Sequence, residues 1–177
     1  ALAPPGYRTI QVDMAAPGIE KTIDRKFDFA FSIFLLEHIH DPLTLHRNIW
    51  KILAPGGTAL HIFPTLYALP FVVNAITPDR LSHALLRLVQ PHRSRRTEDT
   101  TKFPAYYRWC RGPTKSMITR FESLGYEVEE YVGYFGHNYY ARIPFGREFE
   151  RLLSIVRLRL RLSHFTALAH CALRKPV

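Results

Sequence analysis

Hydrophobic positions follow two different periods along the chain, and the change from one period to the other predicts alternating strands and helices. The run Phe27–Phe34, FDFAFSIF, is apolar at nearly every position, which is typical of a central strand buried on both faces of a parallel sheet. Pro42–Leu53 has apolar residues at helical spacing, with Asp41 as N-cap and a proline at the first helical position. Thr58–Pro64 is the next strand. Because strand, crossover helix and strand form a βαβ unit, the sequence predicts an α/β fold with parallel strands.

Four further segments extend this pattern. They are a strand at Arg8–Met14, a helix at Thr114–Leu124, a strand at Glu127–Phe135 and a closing strand at Thr166–Leu173. The first has Ile10 and Val12 at period two and ends before a turn-like AAPG sequence. We expect all of these elements to belong to a single domain spanning residues 1–177.

Two connections, Leu66–Pro113 and Gly136–Phe165, are longer than a minimal α/β fold needs, and such connections are usually functional or form small subdomains. The first contains Phe103–Thr114, where four aromatic residues alternate with basic ones that include Arg108 and Arg111. Aromatic and arginine side chains together suit a sugar, a phosphate-bearing carrier or a planar acceptor. A small satellite core beneath a long loop explains the same pattern.

The second connection contains a basic amphipathic segment, Phe145–Leu162. One helical stripe is apolar and consists of Phe149, Leu152, Leu153, Val156 and Leu160, and five arginines lie opposite it. A basic amphipathic helix suits a membrane surface or an anionic acceptor. Docking of the stripe on its own domain is a second interpretation, and the alternating RLRLRL sequence is also compatible with a strand.

Composition adds a formal charge of +9, which fits an acidic substrate, an anionic membrane, nucleic acid or simply a solvated basic surface. Cys110 and Cys171 are in no CxxC pattern, no apolar run is long enough to span a bilayer, and the residues after Ala1 do not form a signal peptide. We therefore expect a reducing, cytoplasmic setting. Because the first residue is not methionine, we also expect the chain to be an N-terminally truncated form.

Residues Phe27–Thr65 contain a series of short motifs in a fixed order. They are Phe27-Asp28, Leu36-Glu37-His38, Asp41-Pro42 and Leu53-Ala54-Pro55-Gly56-Gly57. Together they resemble the fourth strand, helix and fifth strand of class I S-adenosylmethionine-dependent methyltransferases of the bacterial "type 11" kind. The resemblance extends upstream to Val12-Asp13-Met14 and downstream through the later helix and strands, and it leaves out the two long connections.

This resemblance implies a partial Rossmann-like, doubly wound sheet with an antiparallel last strand and S-adenosyl-L-methionine as cofactor. By resemblance, Asp13 accepts a hydrogen bond from the adenine amino group, and Met14 offers its backbone N–H to the ring. Ser32 and Phe34 end the central strand, where the family's backbone meets the methionine part of the cofactor, and Glu37 follows on the rim of that pocket. Ligands do bind at the carboxyl ends of strands in open α/β sheets.

His38 and His40 are the candidate catalytic residues. Methyl transfer is an in-line displacement, so the protein mainly aligns the reactants, and an oxygen nucleophile also needs a base to take its proton. An imidazole titrates near neutral pH and suits that role. A metal site formed by His38, His40, Asp41 and His46 is an alternative, but side chains two positions apart on a helix point away from each other and no cysteine-rich signature accompanies them. We predict no metal.

One departure from the family pattern changes which strands the sheet is expected to contain. No GxGxG turn occurs, and the family's first two strands have no counterpart between Arg8–Met14 and Phe27–Phe34 in the sheet order. The strand Phe27–Ile33 is therefore expected either to leave an open apolar edge or to pair directly with Arg8–Met14.

The resemblance thus implies methyl transfer to a small-molecule, glycan or lipid-linked acceptor, and this activity is expected to need the missing N-terminal part. Residues 66–113 are expected to form an acceptor lid, and residues 136–165 a basic amphipathic insertion with peripheral membrane contact as one outcome. A catalytically inactive scaffold and a basic nucleic-acid-binding module are the rival hypotheses. Nucleic acid is not favoured, because no recognised nucleic-acid-binding motif is present.

Overall fold

The computed structural model describes residues 8–67, 104–136 and 145–177. Most of the predicted acceptor lid, residues 68–103, and residues 137–144 of the second connection lie outside the described residues. The regular elements, in chain order, are β1 (Phe27–Ile33), α1 (Pro42–Ile52), β2 (Leu53–Pro64), α2 (Lys115–Glu122), β3 (Glu127–Tyr134), α3 (Gly146–Arg159) and β4 (Leu168–Arg174). Short 3₁₀ helices occur at Ile19–Lys21, Leu36–His38 and Ser163–Phe165.

The four strands form one mixed sheet in the order β1-β2-β4-β3. β1 runs parallel to β2, whereas β4 lies between β2 and β3 and is antiparallel to both. The prediction of a partial Rossmann-like α/β fold with an antiparallel last strand is therefore confirmed. No helix in the described ranges is both long enough and apolar enough to cross a bilayer.

Residues Arg8–Met14 do not form the predicted strand. Val12 is followed by a turn in which the Ala16 N–H donates to the Asp13 carbonyl at 3.0 Å. The buried Asn48 side chain of α1 donates to the Met14 and Ala16 carbonyls at 2.9 and 2.7 Å. These carbonyls are therefore bonded to a helix side chain instead of to a strand, and the prediction was wrong because period-two spacing does not reveal whether a partner strand is present.

β1 is an edge strand, although its sequence predicted a strand buried on both faces. Ala30 and Ser32 face α1, but Phe29, Phe31 and Ile33 point to the opposite side, where the Phe31 side chain is 68% exposed. The expectation of an open apolar edge is thus confirmed within the described part of the chain. The sequence of β1 suits burial on both faces. In the described residues, however, nothing covers its free edge or its outer face.

The buried core lies on the other face of the sheet. Ala59 and Phe63 of β2 pack there with Leu45 and Ile49 of α1. The remaining members of the cluster come mainly from α2 and β4, and include Met117, Phe121, Ala169, Cys171 and Leu173. Helices α1 and α2 therefore share one sheet face, which gives the described domain a one-sided core.

Helix α1 is capped at both ends by side chains that its sequence context supplies. Asp41 accepts the Thr44 N–H at 3.1 Å at the N-terminus. At the C-terminus, the Lys26 ammonium donates to the Lys51 carbonyl at 2.5 Å, and the Lys175 ammonium donates to the Trp50 and Leu53 carbonyls at 3.0 and 2.9 Å. Cations at this end also complement the helix dipole.

The PGG sequence makes a tight entry into β2. Strand pairing with β1 shifts register here, since Phe27 pairs with Leu53 but Phe29 pairs with Thr58. A Cβ atom at Gly57 would be 2.9 Å from the Phe27 carbonyl oxygen and 3.0 Å from the Ala54 carbonyl oxygen. Glycine is therefore required at this position by close backbone approach.

We expect Gly57→Ala to lower the free energy of unfolding by about 1–3 kcal/mol, because backbone atoms must move to admit the methyl group. Urea unfolding followed by circular dichroism measures this. Gly18→Asn is the control: no atom lies within 4 Å of a Cβ at Gly18, and asparagine tolerates its φ of 81°. Equal losses of stability in the two variants would contradict the steric explanation.

Candidate functional site

The carboxyl ends of the parallel strands β1 and β2 lie at the same edge of the sheet, and the chain leaves β1 there through a strained residue. Phe34 has a left-handed φ of 53°, is 57% exposed, and donates its N–H to the Ile62 carbonyl at 2.9 Å. For a bulky residue this conformation costs about 1–3 kcal/mol and persists only where the surroundings enforce it. Such residues cluster at ligand sites.

The 3₁₀ helix Leu36–His38 buries its first two residues and exposes its last. Leu36 and Glu37 are buried, whereas His38 and His40 are exposed. Burial raises the pKa of the Glu37 carboxyl group above its ordinary value, and its Oε2 atom has no hydrogen-bond partner. Glu37 also fixes the neighbouring segment, because its carbonyl accepts the N–H groups of Tyr106 and Tyr107 at 2.7 and 3.2 Å.

Residues 104–111, at the end of the first long connection, pack against this loop and contact both candidate catalytic histidines. The His38 Nδ1 atom is 2.9 Å from the Pro104 carbonyl oxygen. The His40 Nε2 atom is 3.1 Å from Nη2 of Arg108, and the His40 ring meets the Tyr106 ring edge-on, with centroids 5.0 Å apart. His38 and His40 are thus brought to one surface but have different partners.

The same aromatic segment is also anchored in the core. Tyr107 and Cys110 are buried, and the Cys110 carbonyl accepts the Leu66 N–H at 2.9 Å. Tyr131 of β3 donates its hydroxyl to the Arg111 carbonyl at 2.7 Å. The inner residues therefore belong to the main hydrophobic core and not to a separate satellite core, while Tyr106 and Arg108 stay at the surface beside His40.

Ser32, predicted to meet the cofactor, makes a side-chain contact within the sheet. Its Oγ atom lies 2.8 Å from Nδ1 of His61, the residue paired with it on β2. His61 was not singled out from the sequence, although it occupies a position between Ala59 and Phe63 on the buried face. The period-two pattern of TALHIFP was the signal that would have placed it in the core.

His61 and His46 form a buried pair of imidazoles. Their rings are nearly perpendicular, with centroids 5.2 Å apart, and the His46 ring stacks on Trp109 at 5.4 Å. Neither ring nitrogen of His46 has a hydrogen-bond partner. Burial lowers the pKa of both imidazoles, that of His61 to about 4, so both are neutral in the folded protein at pH 7. His46 therefore lies in the core, away from the surface histidines with which the metal hypothesis grouped it.

Within the ranges the structure describes, no three His, Cys, Asp or Glu side chains come close enough together to hold a metal ion. Asp13 is exposed, and its Oδ1 atom accepts the Ala15 N–H at 2.9 Å. No hydrogen bond or ring contact in the described part links Asp13 or Met14 to Ser32, Phe34 or Glu37. The two groups of predicted cofactor residues are therefore anchored separately, one on α1 and the other at the end of β1.

Comparison with known proteins gives a family. The sequence profile of a family described as "Methyltransferase domain" matches residues 2–131. No match is found among curated proteins.

Among solved structures, the chain is similar to a SAM-dependent methyltransferase from Archaeoglobus fulgidus, with a TM-score of 0.51 and 13% identity over 96% of this chain and 68% of that one. It is also similar to Haemonchus contortus phosphoethanolamine N-methyltransferase 2, with a TM-score of 0.42 and 15% identity over 85% and 34%. A third is the N-methyltransferase NodS from Bradyrhizobium japonicum, with a TM-score of 0.39 and 15% identity over 86% and 53%. The chain thus spans between about a third and two thirds of the length of these proteins.

The buried imidazoles predict acid sensitivity. Because they are neutral in the fold but take up protons below about pH 6.5 once unfolded, their contribution to stability is complete above that pH and is lost as the pH falls toward about 4. Each unit of pKa difference corresponds to about 1.4 kcal/mol. We expect His46→Phe, which loses no side-chain hydrogen bond, to reduce the loss of unfolding free energy between pH 6.5 and 4.

Urea unfolding at a series of pH values measures this slope. His164→Phe, at an exposed site, controls for the change of residue type. An unchanged slope in His46→Phe would show that the buried pair does not cause the acid sensitivity.

Proposed function

Because this chain belongs to the methyltransferase domain family, we propose that it carries the acceptor side of an S-adenosyl-L-methionine-dependent methyltransferase, with the transfer site at the carboxyl end of β1. The observation that carries this proposal is the strained turn at Phe34, followed directly by Glu37 and His38 and covered by residues 104–108. A strained backbone conformation at the carboxyl end of parallel strands, where ligands bind, favours a functional role over plain packing.

The described residues fit one part of the cofactor. Asp13 is an exposed carboxylate, which suits the amino group of adenine, and the exposed backbone turn at Phe34 suits the methionine end. When bound, S-adenosyl-L-methionine supplies a methyl group on a positively charged sulfur, from which a nucleophile displaces it in line. The described residues contain no glycine-rich turn for the rest of the cofactor.

His38 is the better placed base. Since a carbonyl only accepts, His38 donates Nδ1–H to Pro104, and Nε2 is then the ring nitrogen that carries the lone pair. Nε2 also lies 3.8 Å from Oε1 of the buried Glu37, which places a carboxyl group beside the nitrogen that takes the proton of the acceptor in this proposal.

His40 has a different role in this proposal. The Arg108 guanidinium can only donate, so the Nε2 lone pair of His40 accepts from it at 3.1 Å. We assign His40, Arg108 and Tyr106 to positioning the acceptor, and the basic and aromatic character of this group favours an anionic small molecule, glycan or lipid-linked acceptor.

The free edge of β1 limits what the described domain does alone. Its backbone groups and the exposed Phe29, Phe31 and Ile33 side chains favour pairing with a further parallel strand that carries the remaining cofactor contacts. We therefore infer that cofactor affinity depends on additional residues at this edge.

Titration calorimetry with S-adenosylhomocysteine tests this inference. We expect weak or no binding by the 177-residue chain, and at least about tenfold tighter binding by a form extended with the residues encoded directly upstream, because a strand added to the free edge of β1 would complete the sheet. Micromolar affinity of the chain alone would overturn the edge inference and support the function. Failure of both forms to bind would overturn the function and favour the inactive scaffold.

Kinetic measurements on single variants distinguish the roles proposed for His38 and His40. With an acceptor hydroxyl as nucleophile, we expect His38→Gln to lower kcat about 10²–10⁴-fold and to remove the acid limb of the pH profile, because the general base is lost. We expect His40→Gln mainly to raise KM for the acceptor. Transfer of a tritiated methyl group in the cofactor-binding form measures both, and equal effects on kcat would contradict the assignment.

A further inference from the structure

The buried face of helix α3 is polar, and its charged residues pair with each other within the helix. Glu150 is 3% exposed and pairs with Arg157 at 3.1 Å, and Ser154 is close to the same carboxylate at 3.4 Å. Because the ion pair lies on the buried face of the helix, the apolar residues lie on its exposed face. The docking of the apolar stripe on its own domain is therefore not what the structure shows.

The apolar stripe of α3 faces outward. Phe149 and Leu152 are 55% and 60% exposed, and Val156 and Leu160 continue the same line along the helix. Ile155 and Leu158 are also exposed. The segment is helical through Arg159, so the alternative interpretation of RLRLRL as a strand is excluded, and the backbone hydrogen bonds of this surface are satisfied within the helix.

The sides of this segment beside and opposite the stripe are basic. Arg147, Arg151, Arg159 and Arg161 are all exposed, whereas Glu148 is the one exposed acidic residue of the helix. The whole chain also carries a formal charge of +9. Arginine side chains lay their methylene groups along an apolar surface while the guanidinium groups reach phosphate, which is the arrangement of a helix lying at a lipid headgroup boundary.

We propose that the exposed face of α3 binds the surface of an anionic lipid bilayer, with Phe149, Leu152, Val156 and Leu160 entering the headgroup region and the arginines contacting lipid phosphates. Charge complementarity selects this partner, since anionic membranes attract exposed basic residues. Nucleic acid explains the arginines but not an exposed aliphatic stripe. The proposal does not rest on methyl transfer.

Vesicle flotation with the full chain tests the proposal. We expect binding to vesicles that contain phosphatidylglycerol, and at least about tenfold weaker binding to pure phosphatidylcholine, because both the apolar and the ionic contacts contribute. The double variants Leu152→Glu/Val156→Glu and Arg147→Glu/Arg151→Glu should each weaken binding to the anionic vesicles about tenfold or more. Lys21→Glu/Arg25→Glu reverses two exposed charges elsewhere and should bind like the wild type.

A second measurement does not depend on destabilising substitutions. Phe149→Trp should show a blue shift of tryptophan emission when anionic vesicles are added, relative to the wild type with its own two tryptophans. Absence of this shift, or no flotation of the wild type, would overturn the proposal. So would flotation that depends on the arginines but not on Leu152 and Val156, and oligonucleotide binding with the same dependence would then identify nucleic acid as the partner.

Discussion

The parallel pairing of β1 with β2 is the interaction on which the rest of the described structure depends. Parallel strands require a crossover, which is why α1 lies across the sheet and buries Leu45 and Ile49. The same pairing places the carboxyl ends of both strands together, and there the loop after β1 meets residues 104–111 through the Glu37 carbonyl. It also sets Ser32 opposite His61, and thereby connects the end of β1 to the buried imidazole pair.

The spacing of apolar residues was sufficient to predict the helices and strands that bury one face. The helix after Asp41, the strands on both sides of it and the strand before the C-terminus agree with the structure to within a few residues, apart from the earlier start of β2 at Leu53. Arg8–Met14 failed because a strand is defined by its partner, and here Asn48 takes the carbonyls instead. The burial of His46 and His61 was missed because an imidazole counts as polar in a pattern, whereas the pair is buried among aromatic rings.

The position of the candidate site was predictable from the sequence, but the different roles of its two histidines were not. Because β1 is parallel to its neighbour, residues directly after it must lie at the ligand-binding edge, and this places His38 and His40. Their partners, Pro104 and Arg108, are 66 and 68 positions away in the sequence. No local spacing reveals that one histidine donates to a carbonyl while the other accepts from a guanidinium, and that difference decides which ring is suited to take a proton.

Two apolar surfaces remain exposed in the described domain, and their backbones indicate different partners. Beside Phe29 and Phe31, the free edge of β1 presents unpaired N–H and C=O groups, which a hydrocarbon environment cannot satisfy. That surface therefore suits another protein strand better than a lipid. Beside Leu152 and Val156, the backbone of α3 is hydrogen-bonded within the helix, and most of the exposed charged side chains of this segment are arginines. Such a surface can enter a lipid interface without leaving a backbone polar group unsatisfied. Exposed apolar side chains therefore favour a protein partner at a strand edge but a lipid partner on a basic helix.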